Sequence, residues 1–570
     1  MTGLAASQGS SPVDPMAAGR AAMQSGEFAL AAARFQGVAL SKPADFESRY
    51  WLYSALHAGG QAELARRTLD EARNIHAVAF MRGAGVDMAR FGNDRTYCAE
   101  IGRRFHGQYS AAASLCIGRA IDFDSPDVYL MCDYALALQH QGRMQEAVDM
   151  FRAALELFPT SNLHQLLLYP LFHVENRMAE VSAEARRWAE RYAKVDDPLP
   201  AAFPNNRSAN RRLRIGYVAP SFTNNQVAPT TSAMFETHDP QAVQVFLYCN
   251  NRDIERAIPD GCRIKSIGGL SDREAAQMIR QDRIDILVDV WGHSAYNRLR
   301  VFAYRPAPVQ ISCINFMQTT GLECMDYVMH ADSMDVPGTE AYFTEEIWRT
   351  GEIMGPYRPS PHRLPPTPTP ALANGYITFG SFNHPAKLSD ATVAAWGAIL
   401  RARPSDRLVL KYRYFTDPVL QRVTQARFAA HGVDPAQIEF RGHTTGTDYT
   451  REFQDIDLCL DPSPCPGGTT TCDALSNGVP VLVLKGEDFY SRTPLPLLLP
   501  CGLQELVAES WDHYVARALE LTADYSVLNE LRSRVRPGFD ASPYCDEAAF
   551  TRQLEANYRR MFARWLEASA

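Results

Sequence analysis

The stretch CPGGTTTCDALSNGVPVLVLKG, Cys465 to Gly486, places two glycines, three consecutive threonines and an aspartate just ahead of an apolar run. Gly467 and Gly468 let a backbone approach a ligand closely. The hydroxyls of Thr469, Thr470 and Thr471 can donate to anionic oxygens. The preceding DIDLCLDP reads as a buried strand, SPCPGG as a loop and TTTCDALSNG as a helix with a Thr at its N-cap. In doubly wound sheets ligands sit at the carboxyl ends of strands, against helix N-termini whose free N–H groups and dipole favour anions. Asp473 would repel a phosphate, so a ribose hydroxyl is its expected partner. A capped helix after a tight turn would spell the same way, and a second feature is what gives the stretch weight. After the strand YITFGSF comes NHPAK, with His384 and Lys387 in another strand-to-helix loop. A lysine there can neutralise a pyrophosphate, and the pair fits a nucleoside diphosphate held without a metal ion.

Upstream, DVWGHS puts His293 just past a strand end and a glycine, where side chains face a cleft. RPAPVQ, Arg305 to Gln310, is a stiff entry into the next strand. Asp455-Ile-Asp457 has the Asp-x-Asp spelling of a metal site. It introduces the strand LCLD, so its carboxylates are expected to bracket that strand instead. Twelve cysteines are scattered without a Cys-x-x-Cys pair, and Cys465 and Cys472 lack the partners of a zinc site. They read as reduced, cytoplasmic thiols that pack as small apolar residues.

These residues need elements to hold them, and the chain supplies three regions. At 570 residues it exceeds one core and suits about three domains. The net charge of −8 argues against a general nucleic-acid or membrane-surface binder. No run reaches the roughly 20 apolar residues of a membrane span, and MTGLAASQGSSPVDP lacks the basic start and apolar core of a signal peptide. Residues 1–195 hold an internal repeat. GRMQEAVDMFRAALELFP carries Gly142, Ala147, Phe151 and Pro159 at the offsets of a tetratricopeptide helix, and Gly26, Ala31, Phe35 and Pro43 repeat them. Weaker copies begin at Gly60, Gly107 and Asn176, with a long gap near NIHAVAFMRGAGVDM. Such arrays offer a concave surface to a peptide or partner protein. After a Pro/Asn/Arg-rich linker, strand–helix alternation marks one parallel-sheet domain over 205–365 and a second over 371–570. The expected fold is therefore an α-helical repeat array followed by two Rossmann-like α/β lobes.

The strings LRIGYVAPSF, IDILVDVWGHS, RPAPVQ, TPALANGYITFGSFN, CLDP and GGTTTCDAL with GVPVL, in this order, resemble the O-GlcNAc transferase and SPINDLY family. These are protein O-glycosyltransferases with tetratricopeptide repeats before a two-lobed GT-B region. The resemblance implies that Lys387 contacts the donor diphosphate and that Thr469, Thr470 and Asp473 make phosphate and ribose contacts. It places His384, Gly467, Gly468, Thr471 and Gln310 with the donor site and His293 at the catalytic centre. One departure is clear. Where the family reads Asp-Phe, two residues, then His, this chain reads SFTNNQ, with Ser221 at the Asp and Asn225 at the catalytic His. Asparagine hydrogen-bonds but takes no proton near neutral pH. The implied activity is a metal-independent, inverting transfer of a sugar to Ser or Thr of an acceptor protein bound by the repeats. The resemblance implies UDP-GlcNAc as donor and no further cofactor. GDP-fucose, a nonulosonic-acid donor acting on flagellin, and a catalytically impaired scaffold stay open.

Overall fold

The computed structural model describes residues 14–174, 177–222, 228–250, 261–313 and 317–569. Packing divides the chain into two compact units, one joining Met1–Gln141 to Asp390–Gly442 and the other joining Gly142–Ser389 to His443–Ala570.

The first unit opens with paired helices, including Pro15–Gln24, Phe28–Ser41, Phe46–Ala58 and Ala62–Gly83. Asp14, Asp45, Asp94 and Asp127 each accept a backbone N–H at a helix start, as good N-caps do. Gly26 and Gly60 take φ values of +80° and +78° in the turns between helices, where a side chain would be strained. Five residues beyond Gly26, Gly60 and Gly107 stand Ala31, Ala65 and Ala112, all fully buried, so the repeat keeps a methyl where helices approach. The long gap in the sequence repeat is filled by lengthening. Helix Ala62–Gly83 runs 22 residues and a short helix, Met88–Asn93, follows it. In the same unit Val419, Val423 and Ala426 of helix Pro418–Ala429 share a core with Phe35, Tyr50 and Ala65. Ser54 donates to the Ala426 carbonyl at 2.9 Å, Arg422 pairs with Glu47 at 2.8 Å, and Asp417 accepts the Ala111 N–H at 3.1 Å.

The second unit begins with helices Met144–Leu157, Ser161–Phe172 and Met178–Tyr192, with Gly142 again left-handed and Ala147 again buried. A seven-stranded parallel sheet follows: β1 Leu213–Val218, β2 Val243–Cys249, β3 Arg263–Ser266, β4 Ile286–Asp289, β5 Val309–Ser312, β6 Tyr327–His330 and β7 Glu346–Arg349. Its order is β3-β2-β1-β4-β5-β6-β7, with Val218 opposite both Tyr248 and Asp289. The second sheet, whose β9 and β10 come from the Asp390–Gly442 segment grouped with the first unit, comprises β8 Thr378–Ser381, β9 Arg407–Lys411, β10 Ile438–Arg441, β11 Leu458–Leu460, β12 Val481–Leu484 and β13 Val507–Ala508, in the order β10-β9-β8-β11-β12-β13. Strand order therefore reverses between β1 and β4 in one sheet and between β8 and β11 in the other. Those are the switch points where loops diverge and leave a crevice. The last helix, Glu547–Ala568, returns to the first sheet, where Tyr558 hydrogen-bonds Tyr217 at 3.1 Å and Glu555 meets His238 at 2.8 Å. Among the described residues no helix is long and apolar enough to cross a membrane.

Candidate active site

The loop after β11 is built around one carboxylate. Asp461 is buried, and its two oxygens accept the Gly467 N–H at 2.9 and 3.0 Å. Asn383, after β8, donates to the same group at 3.3 Å. Burial pushes the Asp461 carboxyl up to about 7, although the neighbouring Lys387 ammonium pulls the other way. A Cβ on Gly467 would lie 2.7 Å from an Asp461 oxygen and 2.3 Å from the Thr471 hydroxyl, so only glycine fits. Gly468 has open space and serves differently. Its carbonyl accepts the N–H groups of Thr471 and Cys472 and so starts helix Thr469–Ser476. The expected threonine N-cap is thus corrected: the cap is Gly468, and the three threonines lie inside the first turn. Glycine brings no side chain to the first N–H groups.

Lys387 ends a short 3₁₀ turn, Pro385–Lys387, whose cap is His384 through Nδ1, which accepts the Ala386 N–H at 2.9 Å. Its Nζ donates to the Pro466 carbonyl at 2.7 Å and lies 3.4 Å from Asn383 Oδ1. Thr470 donates to that same Asn383 oxygen at 3.2 Å. Asn383 thereby ties together the two loops at the switch point. Lys387, Gly467, Gly468 and Thr469 line one cavity of about 310 Å³ with His293, a size at the small end for ligand pockets.

His293 reaches that cavity through the loop after β4. Asp289 accepts the N–H groups of Gly292 at 2.7 Å and Trp291 at 3.4 Å and fixes the turn. Burial raises the Asp289 carboxyl to about 7. The imidazole donates from Nε2 to the Thr320 carbonyl at 2.9 Å and accepts the Gln165 amide at Nδ1, 3.2 Å away. Both ring nitrogens are occupied, and burial pushes the ring down to about 3, so it stays neutral. In this geometry His293 positions its neighbours and is not poised to receive a proton. The Thr320 loop is anchored in turn by Glu345, which accepts from the Thr319 hydroxyl at 2.6 Å and the Thr320 N–H at 2.7 Å.

Five predicted residues stand apart from the cavity wall: His384 and Thr470, which brace its loops as described above, and Gln310, Thr471 and Asp473. The Gln310 amide is fully buried and donates to the carbonyls of Phe302 and Cys324 at 3.0 and 2.9 Å. The Thr471 hydroxyl is buried beside Gly467. Asp473 accepts hydroxyls from Tyr357 and Tyr449. Asn225 lies outside the described residues. Asp457 clamps backbone, accepting from Thr369 at 2.6 Å, Ala371 N–H at 2.9 Å and Thr378 N–H at 2.8 Å, as a strand-bracketing carboxylate would.

Sequence reasoning missed the helix Ser161–Phe172, which brings Gln165, Tyr169 and Phe172 to the cavity. It also missed Asn383, Asp461 and Cys465. Burial acts to raise the Cys465 thiol, yet His173 and Lys387 draw it below the usual range, and Tyr490 lies 3.3 Å away.

Two doubly wound sheets whose switch-point loops reach one cavity, preceded by paired helices, define a GT-B-type architecture with a helical-repeat leader. The chain belongs to glycosyl transferase family 41, whose sequence model matches residues 131–347 and 367–554. It is 34% identical over 434 residues to a rice protein described as a probable UDP-N-acetylglucosamine–peptide N-acetylglucosaminyltransferase SPINDLY, covering 74% of this chain and 47% of that one. A Caenorhabditis elegans UDP-N-acetylglucosamine–peptide N-acetylglucosaminyltransferase is 22% identical, covering 76% and 48%. The chain spans about half the length of these curated relatives. Among solved structures, a mutant of the Thermobaculum terrenum O-GlcNAc transferase superposes with a TM-score of 0.76 at 28% identity, covering 98% of this chain and all of that one.

Proposed function

We propose that the protein transfers a sugar from a nucleotide-sugar donor to a Ser or Thr hydroxyl of an acceptor protein. The observation that carries this reading is the meeting of Lys387, the Gly467–Gly468 backbone and the start of helix Thr469–Ser476 in one cavity. An ammonium and a helix N-terminus suit the diphosphate that leaves as the acceptor oxygen attacks the anomeric carbon. A single displacement of this kind inverts the anomeric centre. Asp461 and Asn383 hold the loops rigid, so the charge stabilisation is set before the donor arrives. With charge carried by Lys387, the reaction requires no divalent cation. The names of the relatives favour UDP-GlcNAc as donor, and the repeats supply the surface that selects the acceptor protein.

The test is a thermal-shift screen with UDP-, GDP- and CMP-sugars, followed by transfer to a peptide library read by mass spectrometry. A shift with UDP-GlcNAc and a mass gain of one N-acetylhexosamine on Ser or Thr support the reading. A shift with GDP-fucose alone moves the donor, and no shift with any nucleotide sugar overturns the proposal.

A further inference from the structure

Three turn glycines share one backbone conformation and differ in what surrounds them. Gly26, Gly60 and Gly142 take φ values of +80°, +78° and +79°. A Cβ on Gly26 or Gly60 would point into open space. At Gly142 it would lie 3.3 Å from the Pro385 carbonyl oxygen and 3.8 Å from the Ala386 Cα. These neighbours are backbone, so no side-chain rotation can clear the space. They belong to the 3₁₀ turn Pro385–Lys387, in which Pro385 and Ala386 are buried. That turn has little slack. The His384 carbonyl accepts the Lys387 N–H at 2.9 Å, and the Pro385 carbonyl accepts the Leu388 N–H at 3.1 Å. The oxygen that faces Gly142 is therefore one that closes the turn. From the end of the turn Lys387 Nζ reaches the Pro466 carbonyl at 2.7 Å, and both residues line the cavity.

We propose that Gly142 is a positioning residue for Lys387: its bare Cα lets the Lys387 turn seat against the turn that opens helix Met144–Leu157, at the depth from which the ammonium meets a donor diphosphate. This deepens the nucleotide-sugar reading and rests on it. The backbone conformation alone would accept asparagine, which tolerates the left-handed region. The close approach of Pro385 would not. A side chain at 142 pushes the Pro385 carbonyl away by a few tenths of an ångström. The 3₁₀ turn shifts with that carbonyl, and Lys387 Nζ shifts with the turn. Misplacing a charged contact by about 1 Å costs about 10²-fold, so a smaller shift is felt at the diphosphate while the fold persists.

The experiment measures calorimetric binding of UDP and GDP to the full-length protein and to Gly26→Asn, Gly60→Asn, Gly142→Asn and Gly142→Ala, with and without Lys387→Ala. Gly142→Asn should weaken whichever nucleotide the wild type binds by roughly three- to tenfold, and Gly142→Ala by less. Gly26→Asn and Gly60→Asn should bind it as the wild type does. In the Lys387→Ala background Gly142→Asn should weaken it no further, because both changes act through one ammonium. That readout separates positioning from general loosening of the fold, which would persist without the lysine. Wild-type affinity in both Gly142 variants, or an equal loss with and without Lys387, overturns the proposal. Should Gly142→Asn not fold, Gly142→Ala carries the same comparison with a smaller side chain. If neither UDP nor GDP binds the wild-type protein, the nucleotide reading itself fails and this inference falls with it. Nucleotide binding that Gly142 variants leave unchanged defeats the inference alone.

Discussion

Replacing Lys387 with alanine separates the chemistry proposed here from the stability of its loop. Among the described residues the ammonium donates to the Pro466 carbonyl at 2.7 Å and, at the longer distance of 3.4 Å, to Asn383 Oδ1, so its loss should cost about 1 kcal/mol of stability. Its service to a leaving diphosphate is larger. A unit charge about 4 Å away at an effective dielectric of about 20 is attracted by about 4 kcal/mol. Part of that attraction already holds the ground-state diphosphate, and only the charge that develops on departure counts toward the rate. Losing one such preorganised contact costs about 2–4 kcal/mol of transition-state stabilisation, or roughly 30- to 1,000-fold in turnover. The loop itself should survive. Without the ammonium the Asp461 carboxyl rises further and holds its proton, and a protonated carboxyl still accepts the Gly467 N–H. The assay is single-turnover transfer from a labelled donor, beside donor affinity by calorimetry and melting temperature. A variant that melts within a few degrees of wild type and turns over within fivefold of it would refute the assignment of Lys387.

Gly321→Ala should destabilise by about 3 kcal/mol or more, because φ is +74° there and a Cβ would lie 2.3 Å from the Ala185 carbonyl oxygen. Gly468→Ala, with open space around it, should melt close to wild type in the same thermal scan. Asp289 and Asp461 make a pH prediction. Both carboxyls are raised to about 7, so between pH about 4 and 7 the folded chain holds protons that the unfolded chain releases. Stability should therefore fall as pH rises through that window, by at most about 4 kcal/mol per group. Asp289→Asn and Asp461→Asn should flatten the curve of melting temperature against pH, and a curve that rises toward pH 7 in the wild type alone would contradict the burial argument. Transfer should persist in EDTA, and activity lost there and restored by manganese would promote the Asp-x-Asp pair.

The fold was legible because its signals are local. Glycine-to-alanine offsets of five residues mark the repeats, and apolar runs such as IDILVD mark buried parallel strands. The loop glycines, Lys387 and His293 were legible as positions at strand ends. What the sequence could not show was which polar groups are already spent. Gln310 and His293 look free when written in a line. Their partners, Cys324 and Phe302 for one and Thr320 and Gln165 for the other, come from segments 8 to 128 positions away. Asp461 was visible as the last letter of LCLD, yet its bond to Gly467 required the loop's closure. Residues 390–442 read as part of the second Rossmann-like lobe, and their helix Pro418–Ala429 buries Val419 and Val423 among the repeat helices because its outer face is also apolar.

The helix Ser161–Phe172 changes what a truncation can test. It falls within the repeat region by sequence, and deletion of residues 1–195 looks like a clean way to remove acceptor binding. The structure makes that helix a wall of the cavity that Lys387 and His293 line. Gln165 holds His293 at 3.2 Å and Asn297 at 3.2 Å, Phe172 stacks on Tyr490 with centroids 5.9 Å apart, and Tyr169 faces the same space. Trp188 of the next helix shares a core with Phe302 and Leu299 and meets the His293 ring at 4.7 Å. Removing these helices would release His293 and open the cavity, so lost transfer would report a broken site whatever the repeats bind. Acceptor choice must instead be probed by point changes that leave these contacts alone, on helices between Pro15 and Ala120. Gln165→Ala supplies the matching control: it should impair transfer to every acceptor alike, because it loosens the His293 ring in the cavity wall and leaves the helices between Pro15 and Ala120 untouched.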